Sequence, residues 1–280
     1  MTPAVVLVPG AFTGAWMWAD VAAGLRRRGI AASAIDLPSI GPDAGDAGFA
    51  ADVRAVRRAL DRLEPPVLLC GHSYGGGVIT ESAAGPHPAV RRLVYVNAAV
   101  PDIGDSLVSL MTAAVATARR GERPDRGVVL RGDGLAHLDR EYARRILFND
   151  CGPDRAEAAL ARLSPTNPSG SDRPLAHAAW RDLPATYLRG TEDRLVEAIA
   201  PAFIARGPEL VEFPVGHCPQ WSRPELVVDL LADRAWRMTT GPSAAERART
   251  GDPCSPNSSS SIRPSPAPTW TATATSPSRT

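Results

Sequence analysis

A serine lies at the point where an apolar stretch of the sequence becomes rich in glycine, in LLCGHSYGGGVI at positions 68–79. The five residues centred on Ser73 match the pattern G-x-S-x-G, in which a strand turns sharply into a helix and exposes the serine hydroxyl. The glycines at 75–77 cost a helix roughly 1 kcal/mol each relative to alanine, so an ordinary helix would not favour them. The pattern therefore predicts that Ser73 is a nucleophile at a helix N-terminus, where backbone N–H groups favour negative charge.

A serine hydroxyl is a weak nucleophile that needs a general base, and the base needs an acidic partner to orient it. Of the five histidines, His217 follows an apolar stretch directly, in FPVGHCP, which predicts that it lies at the same sheet edge as Ser73. His72 is inside the serine motif, and we expect it to have a structural role. The other three lie in a predicted surface loop or in the middle of the chain: His87, His137 and His177.

The acidic partner is predicted in TYLRGTEDR at 186–194, where an apolar strand leads into a loop. Both Glu192 and Asp193 lie on that loop, and their spacing alone leaves both open. The alternative for Asp193 is to cap a helix that begins near Val196. An oxyanion that forms at an attacked carbonyl also needs two N–H donors. We expect one from Tyr74, which follows the nucleophile, and the other from the loop at 9–12.

These residues have to be positioned by an alternation of strands and helices. Short apolar stretches predict strands at 5–8, 31–35, 67–70, 93–96, 185–189 and 210–213. Helices are predicted between them, at 15–28, 50–64, after Ser73, near 196–206 and at about 223–237. Continuous apolar strands of this kind are typical of the α/β class, with a mostly parallel sheet of about six strands and helices on both faces.

The middle and the end of the chain depart from this alternation. Residues 101–181 contain helical stretches (105–120, 139–147 and 154–163) and no convincing strand, which favours a helical cap insertion over the strand ends; ordinary crossover helices are the alternative. From position 239 the sequence is rich in Pro, Ser and Thr. We therefore expect one domain at 1–238, with its cap insertion at about 101–181, and a disordered tail at 239–280.

Composition excludes several classes of function. The net charge is +1, which gives no electrostatic reason to bind nucleic acid or an anionic membrane. All 31 basic residues are arginine, so lysine Schiff-base chemistry and a Walker lysine are excluded. The four cysteines form no C-x-x-C pair, and we expect no metal and no redox centre. No signal peptide or membrane span is visible, and we expect a cytoplasmic protein, a monomer or a homodimer.

Several segments, in order, resemble the α/β-hydrolase superfamily, in the branch of plant methylesterases, hydroxynitrile lyases and small bacterial EstC-like esterases. They are VLVPGAFTGAWMW near the start, GHSYGG around the serine, TEDR, and VGHCPQWSRPELVVDLL near the end. In the middle, LFNDCGPDRAEAALARLSP is similar to the bacterial members. The resemblance covers about residues 4–237 and implies the α/β-hydrolase fold.

The resemblance also implies a role for each matching residue. Ser73 would be the nucleophile, His217 the base and Asp193, rather than Glu192, the residue that orients it. Ala11 and Tyr74 would supply the oxyanion N–H groups, and no metal or cofactor is needed. Two positions depart from the family: Pro9 replaces its usual histidine, and Cys218 stands where hydroxynitrile lyases of this branch carry a lysine.

The expected function is hydrolysis of a small, apolar carboxylic ester, thioester or lactone through an acyl-enzyme on Ser73. Two alternatives stay open: a lyase, cyclase or acyl transferase of secondary metabolism on the same scaffold, and a receptor that binds a ligand without turnover. Five apolar residues are candidates for the wall of the substrate pocket, although ordinary core packing explains them equally well: Phe12, Leu107, Leu110, Met111 and Phe148.

Overall fold

The computed structural model describes residues 2–118 and 121–240. Its strands are β1 Ala4–Val8, β2 Ala31–Ala34, β3 Val67–His72, β4 Val90–Val96, β5 Val128–Leu130, β6 Ala136–Leu138, β7 Ala185–Gly190 and β8 Glu209–Phe213. Six of them form one sheet in the order β2-β1-β3-β4-β7-β8, and every neighbouring pair is parallel. The prediction of a parallel sheet of about six strands is confirmed.

Helices connect these strands. They are α1 Ala19–Arg27, α2 Phe49–Leu60, α3 Tyr74–Ser82, α4 Leu107–Thr117, α5 Arg140–Ile146, α6 Pro153–Leu160, α7 Pro201–Ala205, α8 Pro219–Ser222 and α9 Pro224–Thr240. Helix α1 packs against α9, and α2 packs against α3. Within the described residues, no helix combines the length and the apolar character that a crossing of the lipid bilayer requires.

Both faces of the sheet are covered, because side chains that alternate along a strand point to opposite faces. In β1, Val5 and Leu7 belong to the core cluster that contains Val21 and Leu25 of α1 and many residues of α9. Val6 and Val8, which alternate with them, are fully buried as well, so they pack on the other face. A strand buried on both faces explains why its sequence reads as a continuous apolar stretch.

The middle segment, between β4 and β7, is mainly helical, with α4, α5 and α6 near their predicted positions. The expectation that it holds no strand is wrong, because β5 and β6 pair as an antiparallel hairpin. Residues after α6 reach the loop that follows β1: the N–H of Phe12 donates to Thr166 Oγ1 at 2.8 Å, and its carbonyl accepts from the N–H of Ser164 at 3.0 Å. That this segment acts as a cap stays a prediction.

The predicted boundary of the domain falls inside α9, which runs two residues beyond position 238. The tail predicted at 239–280 lies, from position 241 onward, outside the described residues. The prediction that it is disordered is therefore untested.

Candidate active site

Ser73 occupies the turn between β3 and α3, with a φ of 51° and a ψ of −122°. The turn is tight enough to exclude neighbouring side chains. A Cβ on Gly71 would lie 2.5 Å from the carbonyl oxygen of Gly75, and a Cβ on Gly75 would lie 2.5 Å from that of Pro9. The two glycines of the G-x-S-x-G pattern therefore allow the backbone to close around the serine.

Backbone strain is concentrated at this edge of the sheet. Among the described residues, three non-glycine residues have a positive φ: Phe12 at 64°, Ser73 at 51° and Asn97 at 42°. They follow the carboxyl ends of β1, β3 and β4. Strain of this kind costs of order 1–3 kcal/mol per residue and clusters where a structure holds a site in one geometry.

His217 and Asp193 form a hydrogen-bonded pair after β8 and β7. Nδ1 of His217 lies 2.8 Å from Oδ2 of Asp193, and both side chains are nearly buried. A carboxylate accepts hydrogen bonds, so Nδ1 carries the hydrogen and Nε2 keeps its lone pair for use as a base. The other carboxylate oxygen of Asp193 accepts the N–H of Leu195 at 2.9 Å.

The two other possibilities for the acid loop do not fit. Glu192 is exposed and does not line the cavity that contains His217. The capping alternative for Asp193 is wrong, because the next helix, α7, begins only at Pro201. Asp193 is therefore the carboxylate that this loop brings to His217.

Ser73, Asp193 and His217 line one cavity of about 160 Å³ at the carboxyl ends of the strands. The predicted pocket residues Leu107 and Met111 also line it, together with Ala98, Ala99 and other side chains from the loops after β4 and β7. A larger cavity of about 310 Å³ lies at the start of β7 and β8, and none of the predicted catalytic residues line it.

Three predicted pocket residues lie elsewhere. Phe148 is a correction: it follows α5 and is buried in the main core among residues of α5, α6 and the sheet, 1% exposed. Leu110 does not line the cavity but packs against Ala198 and Met111, which do. Phe12 does not line the cavity, and its backbone is hydrogen-bonded to the segment after α6. Apolar periodicity does not distinguish a pocket wall from a core.

The expected oxyanion donors belong to the two elements that meet at Ser73. Ala11 is in the turn after β1, and Tyr74 begins α3. Among the described residues, neither backbone N–H has a hydrogen-bond acceptor. The loop of Ala11 is held by the hydroxyl of Thr13, which donates to the carbonyl of Gly10 at 2.9 Å. Two N–H groups without acceptors beside a serine are the arrangement that an oxyanion hole requires.

Asp52, which the sequence reasoning missed, fixes Tyr74 from behind. The Tyr74 hydroxyl donates to Oδ2 of Asp52 at 2.7 Å, and the hydroxyl and N–H of Ser39 donate to the same carboxyl group. Burial raises the pKa of Asp52, and the hydrogen bonds from Ser39 and Tyr74 oppose that shift. A lone Asp in the first turn of a predicted helix carries no sequence signal for this contact.

His72 lies next to the base. Its Nε2 is 2.9 Å from the carbonyl oxygen of His217, and the two ring centroids are 4.8 Å apart. Because a carbonyl only accepts, Nε2 carries the hydrogen. Burial, and next the neighbouring His217, hold the pKa of His72 well below its usual range, so the ring is neutral. It is a structural neighbour of the base, not a second base.

The middle segment also holds the acid and base loops. Oδ2 of Asp150 accepts the N–H of Gly216 at 2.8 Å and the hydroxyl of Ser222 at 2.6 Å. The side-chain amide of Asn149 donates to the carbonyl of Glu192 at 3.1 Å. Two consecutive residues after α5 thus contact the loops on both sides of the His217–Asp193 pair.

A strand–serine–helix turn and an Asp–His pair at one sheet edge agree with the comparison of this chain with known families. The model of the alpha/beta hydrolase family matches residues 5–230. The chain belongs to the alpha/beta hydrolase family. The resemblance and the fold class inferred from the sequence are both confirmed.

Several proteins are similar to this hydrolase. An alpha/beta hydrolase of Aspergillus novofumigatus is 29% identical over 251 residues, which cover 84% of this chain and 97% of its own. A carbendazim hydrolyzing esterase of Nocardioides sp. is 39% identical over 115 residues, 39% of this chain and 48% of its own. The crystal structure of polyneuridine aldehyde esterase shares the fold, with a TM-score of 0.70 at 19% identity, covering 84% of this chain and 99% of that one.

Proposed function

We propose that this protein is a serine hydrolase that cleaves a small, apolar carboxylic ester through an acyl-enzyme on Ser73. The observation that carries the proposal is the 2.8 Å contact between His217 Nδ1 and Asp193 Oδ2 in the cavity that Ser73 lines. That contact leaves Nε2 of His217 as the proton acceptor in the site. The esterase-like relatives support the same class of reaction.

The reaction would follow from these placements. Ser73 Oγ attacks the ester carbonyl while Nε2 of His217 takes its proton, and Asp193 stabilises the imidazolium that forms. The N–H groups of Ala11 and Tyr74 donate to the developing oxyanion, each worth about 10²–10³ in rate. His217 then protonates the leaving alcohol, and a water molecule attacks the acyl-enzyme by the same route in reverse.

The cavity supports a neutral and apolar substrate. Leu107, Met111 and several alanines form part of its wall, and its lining includes Asp193 and also Glu197, which is ion-paired with Arg189 at 2.6 Å. Among the described residues that line it, none is an arginine. An acyl group that carries a carboxylate would lie near Asp193 with no arginine in the lining to pair with it, whereas an apolar acyl group would bury its carbons.

Cyanohydrin cleavage is not favoured. The position after His217 carries Cys218 rather than the lysine of hydroxynitrile lyases, and its side chain points into the core, with Sγ 3.9 Å from Nε2 of His72. Burial raises the pKa of this thiol well above its usual range, so Cys218 is not a source of charge at the site.

The test is hydrolysis of p-nitrophenyl acetate, butyrate and octanoate by the full chain and by Ser73→Ala. We expect the substitution to lower kcat by at least roughly 10³-fold. Ser82→Ala is the matched control, since Ser82 is buried at the far end of α3 and its hydroxyl has no partner among the described residues. Full activity of Ser73→Ala in a folded protein would overturn the proposal.

A further inference from the structure

Asn97 lies directly after β4, at the centre of the sheet edge that carries the site. It is 7% exposed, lines the cavity of Ser73, and has a φ of 42°. Asn97 is not the nucleophile, the base or one of the expected oxyanion donors, so none of these roles explains a buried amide with a strained backbone at this position. Buried polar side chains are retained where their hydrogen bonds are satisfied, so its partners indicate what it does.

The side chain of Asn97 joins the two loops that carry the acid and the base. Its Oδ1 accepts the N–H of Gly190, the last residue of β7, at 2.6 Å. Its Nδ2 donates to the carbonyl of Gly216 at 2.9 Å and to that of His217 at 3.1 Å. The amide orientation follows from these partners, because the reverse orientation would place its oxygen against two carbonyls.

The carbonyl of His217 is held by a second side chain as well. Nε2 of His72 donates to it at 2.9 Å, so the backbone of the base receives hydrogen bonds from residues after β3 and after β4. Since His72 precedes Ser73, this contact also connects the base to the turn that carries the nucleophile. The imidazole ring of His217 is therefore anchored at its backbone from two directions.

The two loops and Asn97 are in close contact around Gly190. A Cβ on Gly190 would lie 2.5 Å from the carbonyl oxygen of Val215 and 2.9 Å from Nδ2 of Asn97. The end of β7 and the loop of His217 thus approach each other without an intervening side chain of their own. Backbone hydrogen bonds join the loops as well: the N–H of Thr191 donates to the carbonyl of Phe213 at 2.8 Å, and that of Glu192 to the carbonyl of Val215 at 3.1 Å. Asp193 follows Gly190 by three residues, so Asn97 and these backbone bonds together set the acid relative to the base.

We propose that Asn97 is a positioning residue of the site, whose amide couples the acid loop to the base loop and thereby maintains the 2.8 Å contact between Asp193 and His217. Its effect on turnover rests on the proposed serine hydrolase function, whereas its effect on the Asp193–His217 contact does not. The two claims are therefore tested by separate measurements.

Two variants separate its hydrogen bonds from its strain. Asn97→Gly tolerates a positive φ and removes all three side-chain hydrogen bonds. Asn97→Asp also tolerates this φ and keeps the acceptor for Gly190, but its carboxylate has no hydrogen to donate to the carbonyls of Gly216 and His217. The matched control is Thr186→Val at the other end of β7, where a buried hydroxyl bonds Glu209 and Arg92. It removes buried hydrogen bonds from the same strand without touching the cavity.

The kinetic measurement is the split between kcat and KM for p-nitrophenyl butyrate. A displacement of about 1 Å in a catalytic group costs about 10²-fold, so we expect both Asn97 variants to lose about that factor in kcat, with KM changed less than about threefold. Thr186→Val is expected to keep its kcat even where it loses stability. Equal losses of kcat in Thr186→Val and the Asn97 variants would overturn the proposal, because a general structural effect would explain both.

The second measurement does not need turnover. Proton NMR detects the imidazole Nδ1–H that is hydrogen-bonded to a carboxylate as a low-field resonance, assigned here by its loss in Asp193→Ala. We expect the resonance in wild type and in Thr186→Val, and its loss or displacement in both Asn97 variants. An unchanged resonance in folded Asn97→Gly and Asn97→Asp would overturn the positioning role. Absence of esterase activity in wild type would instead count against the proposed function alone.

Discussion

Replacing Gly75 with alanine would test how closely α3 must approach the loop after β1. A Cβ at this position would lie 2.5 Å from the carbonyl oxygen of Pro9 and 2.8 Å from that of Val8, whereas ordinary contacts begin at 3.4 Å. Both obstacles are backbone atoms, which cannot rotate away as the end of a side chain can. The loop or the helix must therefore retreat by about 0.9 Å to reach an ordinary distance from Pro9.

The expected losses in stability and in rate are very different. Overpacking costs about 1–3 kcal/mol, and the gain from replacing glycine by alanine in a helix offsets about 1 kcal/mol of it. The free energy of unfolding should therefore fall by about 0–2 kcal/mol. The displaced elements carry the N–H groups of Ala11 and Tyr74, and a shift of these groups close to 1 Å should lower kcat by about 10²-fold.

The assay combines urea unfolding with the kcat for p-nitrophenyl butyrate. Gly132→Ala, in the turn between β5 and β6, is the matched control, because a Cβ there meets nothing within 4 Å and its φ is outside the left-handed region. We expect this control to leave both quantities close to wild type. A wild-type kcat in folded Gly75→Ala would refute the reasoning, since the close approach would then not position the oxyanion donors.

Three further substitutions extend the account. Because the pKa of His72 is held low, the unfolded chain binds a proton at acid pH that the folded chain lacks. The free energy of unfolding should therefore be highest above about pH 6.5 and should fall below that pH by up to about 1.4 kcal/mol per pH unit. His72→Gln should make this fall less steep, and an unchanged slope would contradict the reasoning. Met111→Ala enlarges the cavity, so it should raise the ratio of kcat/KM for octanoate to kcat/KM for acetate about tenfold. Val108→Ala, at an exposed position of the same helix, should leave that ratio unchanged. Equal ratios in the two variants would show that Met111 does not contact the substrate. Asp150→Ala leaves the N–H of Gly216 and the hydroxyl of Ser222 without this acceptor, which should lower the free energy of unfolding in urea by about 1–3 kcal/mol. The control is Asp154→Ala at an exposed position. Equal losses in the two variants would show that water replaces the carboxylate of Asp150.

The sequence was sufficient for the sheet because its central strands contain continuous apolar stretches. The stretches at 5–8, 67–70 and 93–96 are buried on both faces, and burial of that kind leaves a continuous apolar pattern. The hairpin of β5 and β6 was missed because its strands are three residues long and β5 is largely exposed. A strand without a buried face has no alternation for a sequence pattern to detect.

The site was only partly predictable for a related reason. Residues with specific chemistry near strand ends, such as Ser73 and His217, stand out against apolar surroundings. Asn97 and Asp52 make hydrogen bonds to residues that are distant in the sequence, and the local sequence pattern does not predict such partners. The available signal at Asn97 was an asparagine directly after a strand, a residue type that tolerates the left-handed region. Phe148 shows the converse: an apolar residue that was predicted to line the pocket belongs to the core.

The most direct measurement of the central claim is the site of covalent modification by a dialkyl fluorophosphate, located by mass spectrometry of the intact protein and its peptides. The reagent forms a stable ester with an activated serine, so we predict one adduct per chain, on Ser73, with parallel loss of esterase activity. His217→Ala should remain unlabelled under the same conditions, and Ser82→Ala should be labelled as wild type is. An adduct on another residue, or full esterase activity after modification of Ser73, would contradict the account.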